Sequence, residues 1–135
     1  MASLLRAQSS VYYALFHFLA RECADLLIGG SKSNRSEPAW RQVYRSLEHG
    51  YAKQQCRNRS VVSKFPKEIE DFANLFASIQ EKRHSADYDP FYRLVKSAVD
   101  SDIKSAESAM RDFKKAKVSD RRAFCAYVLL RNRKD

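Results

Sequence analysis

Three prolines constrain this chain more than any other feature, because each stands at the head of a stretch with helical periodicity. Proline belongs in the first helical turn, where its missing N–H would have no partner anyway. Pro38, Pro66 and Pro90 therefore punctuate the 135 residues into helical pieces. Only three glycines accompany them. A sandwich or barrel needs many turns, and turns draw on glycine and proline. The scarcity of both favours long helices.

Hydrophobic spacing identifies the pieces. Tyr12, Leu15, Phe16, Leu19, Cys23, Leu26 and Leu27 recur at three- and four-residue steps, the mark of one helical face. They predict a helix over Leu4 to Ile28, stopped by Gly29-Gly30. A second helix is expected from Ser36-Glu37-Pro38, with Trp40, Val43, Tyr44, Leu47 and Tyr51 as its stripe and a break at residues 57–60. Gly50 weakens it locally. A third opens at Phe65-Pro66 and ends between Arg83 and Tyr88. A fourth is expected from Asp89-Pro90, with Asp89 as its cap, and its apolar stripe runs from Phe91 and Val95 through Val99, Ile103, Ala106 and Met110 to Phe113. A shorter last helix starts at Ser119-Asp120. Short links between long helices imply antiparallel neighbours. The expectation is one all-α domain over residues 1–135, an up-and-down bundle of four to five helices with 117–135 as a basic C-terminal helix.

Composition narrows the class. With 44% hydrophobic and 30% charged residues, the chain is expected to be globular. No apolar run approaches the ~18 residues of a membrane span, and no signal peptide is read at Met1–Arg6. Cys23, Cys56 and Cys125 are odd in number and never spaced as CxxC. A disulfide framework and a zinc site are both disfavoured, and a cytoplasmic setting is expected. No cofactor or metal is expected.

The net charge of +9 is uneven. Residues 30–64 carry eight basic against two acidic side chains, and residues 111–135 nine against three. Residues 65–110 carry six against nine. Basic segments of this kind attract phosphate backbones, bind acidic proteins, or simply aid solubility.

Two stretches point further: Ser10-Val11-Tyr12-Tyr13-Ala14-Leu15-Phe16-His17, and Arg83-His84-Ser85-Ala86-Asp87-Tyr88. "YYA-x-FH" on a helix, followed by "R-x-x-ADY" some seventy residues later, resembles the HEPN family of bacterial helical domains. His49, opening "HGYAKQQC", and Phe65-Pro66 lie where related chains show a similar histidine and loop. The resemblance spans roughly residues 9–115. It implies a helical bundle that is usually a homodimer, here through the first and third helices. It also implies a frequent nucleotidyltransferase-like partner protein in toxin–antitoxin or defence systems. Many members are metal-independent ribonucleases with the signature Arg, four to six residues, His. This chain lacks that spacing. The required positions are Ser10, Val11 and Tyr12 before His17; Gln42, Val43 and Tyr44 before His49; and Ala77, Ser78 and Ile79 before His84. Five residues after Arg83 stands Tyr88, a poor general base at neutral pH.

The candidate residues follow. Arg83, Asp87, Tyr88 and His49 are the candidates for a catalytic site. Arg83 suits bidentate capture of a phosphate or carboxylate, and equally a helix-stabilising ion pair with Asp87. Tyr13 and His17, four apart, are candidate ligand or interface residues, or a pair satisfied at a helix seam. Arg45, a third candidate ligand or interface residue, and His49 are four apart on one helix face, with histidine as acid or base or both on a solvated face. Arg121, Arg122, Arg131 and Arg133, interleaved with Phe124 and Tyr127, suit RNA contact or plain docking on the bundle. Three functions stay open: a module binding RNA, a nucleotide or a partner protein; a ribonuclease with a rearranged site; and a structural adaptor.

Overall fold

The computed structural model describes residues 2–134 and is all-α: helices joined by turns and loops, with no strand among those residues. Seven helices follow in order: α1 (Ala2–Leu27), α2 (Glu37–Ser46), α3 (His49–Cys56), α4 (Arg59–Val62), α5 (Lys67–Tyr88), α6 (Lys96–Phe113) and α7 (Val118–Leu129). None is long and apolar enough to cross a membrane.

α1 is the organising element. It packs against α2, α5, α6 and α7, while α3 bridges α5 and α7. Its stripe of Tyr12, Leu15, Leu19 and Cys23 is wholly buried, as a period of 3.6 requires. Gly29 ends the first segment at φ +144, a conformation that side chains with a Cβ rarely adopt. A Cβ there would also run into Ser33 Oγ.

The core centres on Phe72 of α5. Its ring lies 5.0 Å from Phe113, 5.6 Å from Phe18, 6.3 Å from Phe76 and 6.4 Å from Phe124. Four helices thus contribute aromatic rings to one cluster, and each fully buried ring gains about 1.5–3 kcal/mol over exposure. Glu22 of α1, only 3% exposed, ties the far end together. Lys114 donates to it at 2.8 Å and Arg121 at 3.3 Å.

The structure departs from expectation at four places, one of them the four-residue α4, which starts at Arg59 inside the stretch read as a break. The second predicted helix is split. Ser36 Oγ accepts from Ala39 N–H and starts α2 as expected, but Leu47 and Glu48 are both extended, at ψ 122 and 135. Leu47 is buried, so the chain leaves the helix to seat that side chain and starts α3 at His49. Asp89-Pro90 does not open a helix either. Asp89 Oδ1 accepts from Phe91 N–H at 2.9 Å, an Asx turn that competes with helical capping, and α6 begins only at Lys96. Phe91 and Val95, expected in the apolar stripe, are 85% and 55% exposed. Last, the C-terminal helix ends at Leu129, and residues 130–134 are not helical.

Candidate functional site

Beside its buried stripe, α1 carries a second row. Tyr13 and His17 are four residues apart and share one exposed face, bordering Tyr12 and Phe16. Three other elements supply what this row meets. α5 brings Arg83, α2 brings Tyr44, and the split between α2 and α3 places His49 at the first position of its helix.

Arg83 is gripped from three sides. Its Nη2 donates to the Tyr13 hydroxyl at 3.0 Å. Its guanidinium carbon sits 4.9 Å from the Tyr13 ring centroid and 5.4 Å from that of Tyr12, within cation–π range. Its Nε lies 3.6 Å from Asp87 Oδ2, an ion pair too long to count as a hydrogen bond. The Nε–H is buried without a hydrogen-bond partner.

His49 is held as firmly. Its Nδ1 and the Tyr12 hydroxyl share a hydrogen bond. Its ring lies on Phe16 at 3.9 Å between centroids and 15° between planes, and meets Tyr13 edge-on at 6.1 Å. Gln80 Nε2 donates to the His49 carbonyl at 3.1 Å. Desolvation by packing holds the imidazole below its ordinary pKa, and the positive charge of Arg83 and then His17 add to this. Burial pushes the Tyr12 phenol well above its ordinary value, with Arg83 opposing. Phenol and imidazole are therefore both neutral at pH 7. With Tyr12 as donor, His49 Nε2 carries the proton. With His49 as donor, Nε2 presents a free lone pair.

His17 completes the row. Its Nδ1 and the Tyr44 hydroxyl are 2.7 Å apart, and its ring is near-parallel to Tyr13 and to Tyr44.

Five of the residues singled out in the sequence thus gather in one place: Tyr13, His17, His49, Arg83 and Asp87. Two do not join them. Tyr88 is 74% exposed, and its ring lies 4.7 Å from that of His84. Arg45 and His49 do not share a helix face, because the break at Leu47–Glu48 puts them on different helices. The C-terminal arginines are occupied within the chain. Arg121 bonds Glu22 and the Ala116 carbonyl. Arg122 donates to the Leu26 carbonyl at the end of α1 at 3.2 Å. Arg131 pairs with Glu48 and lies over Tyr51. Arg133 is exposed in the segment after α7.

Tyr12, Phe16 and Tyr44 fit apolar stripes by their spacing, which gives no sign of their place beside the histidines. The available signal was that two of these three stripe residues carry a hydroxyl, which needs a polar partner when buried.

Chemically, the cluster offers a guanidinium for an anion and a neutral imidazole for proton transfer. No group of three or more histidine, cysteine or carboxylate side chains is arranged to hold a metal ion among the described residues. Comparison with family models, with curated proteins and with solved structures finds no match for this chain.

Proposed function

We propose that this chain is a HEPN-like bundle that binds RNA, with Arg83 and His49 at the centre of its site. The observation that carries this reading is the meeting of the two motifs. Tyr13 and His17 from "YYA-x-FH" and Arg83 and Asp87 from "R-x-x-ADY" are far apart in sequence and adjacent in space. A guanidinium backed by two aromatic rings and aligned by Asp87 suits phosphate capture. The resemblance adds a homodimer as the working form and a nucleotidyltransferase-like protein as a partner. The up-and-down bundle is also part of this reading.

A second reading, a metal-independent ribonuclease, has one observation in its favour. His49 and His17 flank Phe16, with ring centroids 3.9 and 5.7 Å from it, and Arg83 is close enough to depress the His49 pKa. A neutral imidazole can take the 2′-hydroxyl proton of RNA, and a guanidinium can stabilise charge on the phosphorus oxygens.

Incubating the purified protein with total RNA in EDTA, alongside Arg83→Ala and His49→Ala, separates the two. Retained gel-shift binding with intact RNA supports the binding module. Cleavage lost in both variants makes the chain a ribonuclease. Neither binding nor cleavage ends both readings.

A further inference from the structure

The aromatic contacts of the site do not stop at Tyr13. They continue as a ladder across two helices. Tyr13 faces His17 at 6.1 Å and 26°, His17 faces Tyr44 at 6.0 Å and 13°, and Tyr44 faces Trp40 at 5.2 Å and 20°. An arginine closes each end. Arg83 lies 4.9 Å from the Tyr13 ring, and Arg35 lies 4.6 Å from the Trp40 ring.

This row is on the surface. Tyr13 and His17 are exposed, Tyr44 and Trp40 partly so, and no residue of α2 is fully buried. The ring separations exceed the roughly 3.5–4 Å of full face-to-face contact. Each ring therefore overlaps its neighbour only in part, and the exposed Tyr13 and His17 keep surface open to a further planar group.

The charge around the ladder is one-sided. Its nearby carboxylates are already engaged: Asp25 accepts from Trp40 Nε1 at 2.9 Å and pairs with Arg35, which also binds Glu37. Arg41 and Arg45 follow Trp40 and Tyr44 directly along α2, and Arg21 lies one turn beyond His17. All three are exposed, and none makes an ion pair or hydrogen bond among the described residues.

Stacking surfaces beside unpaired cations are what a single nucleic-acid strand requires, because its bases are free to stack while its phosphates follow the charge. A duplex hides its bases and offers only phosphates and sugar hydroxyls. A protein partner would meet three uncompensated arginines here, which favours the polyanion. We infer that the strip from Trp40 through Tyr44 and His17 to Tyr13 is a stacking platform for single-stranded RNA. The strand's phosphates lie along Arg41, Arg45 and Arg21, and its end reaches Arg83. This inference rests on the RNA-binding reading above and names the form of RNA that the site takes.

Trp40 is the only tryptophan, so its fluorescence reports on the platform directly. Titration of the full chain with a twelve-nucleotide oligouridylate at low salt should quench Trp40 emission saturably. A duplex of equal length should bind at least tenfold more weakly. Tyr44→Ala should lose about tenfold in affinity, the order expected for one lost stack, and Tyr44→Phe should retain it. Circular dichroism melts check that both variants fold. If Tyr44→Ala does not, quenching in the unaltered protein decides alone.

Binding of labelled RNA with unchanged Trp40 emission, or equal affinity for duplex and single strand, overturns the platform and leaves the RNA reading standing. No binding of either form overturns both. Self-association abolished by Tyr44→Ala, without RNA binding, would make the strip a protein interface instead.

Discussion

Arg83 Nη2 donates a hydrogen bond to the Tyr13 hydroxyl at 3.0 Å, across seventy residues of sequence. That contact joins the last turns of α5 to the face of α1 that points away from the core. Tyr13→Phe removes the acceptor but keeps the ring under the guanidinium. For a partly exposed bond the cost is about 0.5–1 kcal/mol of stability. Arg83→Ala should lower RNA affinity far more than Tyr13→Phe, since it removes the charge itself. Urea unfolding and anisotropy measurements on both variants check this order.

His49 should titrate below the ordinary histidine value of about 6.5, because packing and the charge of Arg83 disfavour its protonated form. The sign for stability follows. The unfolded chain binds the proton more readily than the folded one, so His49 contributes stability above pH 6.5 that is lost as pH falls through its depressed folded value. Two-dimensional NMR of the imidazole carbons gives the pKa. Melting temperatures from pH 7.5 to 5 should fall more steeply in the unaltered protein than in His49→Phe. A His49 pKa above 6.5 would contradict the packing argument.

Glu22 is the buried carboxylate that Lys114 and Arg121 both reach. Glu22→Ala leaves Arg121, with only 15% of its side chain exposed, without its counter-charge. Breaking such a pair from one side costs on the order of 3 kcal/mol. Chemical denaturation should show this loss with an unchanged m-value, and a double variant with Arg121→Met should recover part of it.

Gly29 occupies φ +144. Gly29→Ala forces a Cβ into that conformation and against Ser33, at a cost of about 1–3 kcal/mol. The same substitution at Gly30, which has open space around it, should change stability by well under 1 kcal/mol. Thermal melts of the pair check the contrast.

The helices were legible wherever one face repeats every three or four residues. Tyr12 to Cys23 on α1 and Ile69 to Ile79 on α5 are buried as their spacing demands. The breaks were less so. Nothing at Leu47-Glu48 is a helix breaker, and the residue that looked weak, Gly50, sits inside α3. Burial of Leu47 decides that break, and burial is a property of the fold, not of local propensity. At Asp89-Pro90 two local uses of the same residues compete, a helix cap and an Asx turn, and the turn wins.

The site was legible in part. Tyr13, His17 and Arg83 stand in the two motifs, YYA-x-FH and R-x-x-ADY, that carry the family resemblance. Trp40 and Tyr44 fit an apolar stripe by spacing, yet both are only partly buried. In the structure that stripe of α2 lies against the Tyr13–His17 row of α1, a pairing between helices that spacing within one helix cannot reveal.

On the proposed reading, the two motifs form one phosphate-binding site around Arg83. The most direct test is the salt dependence of RNA affinity, measured by anisotropy for the unaltered protein and for Arg83→Ala. A lost phosphate contact should weaken binding severalfold and reduce the slope of log affinity against log salt by about 0.7 for a single strand. An unchanged affinity with an unchanged slope would place the RNA elsewhere on the molecule and contradict the claim.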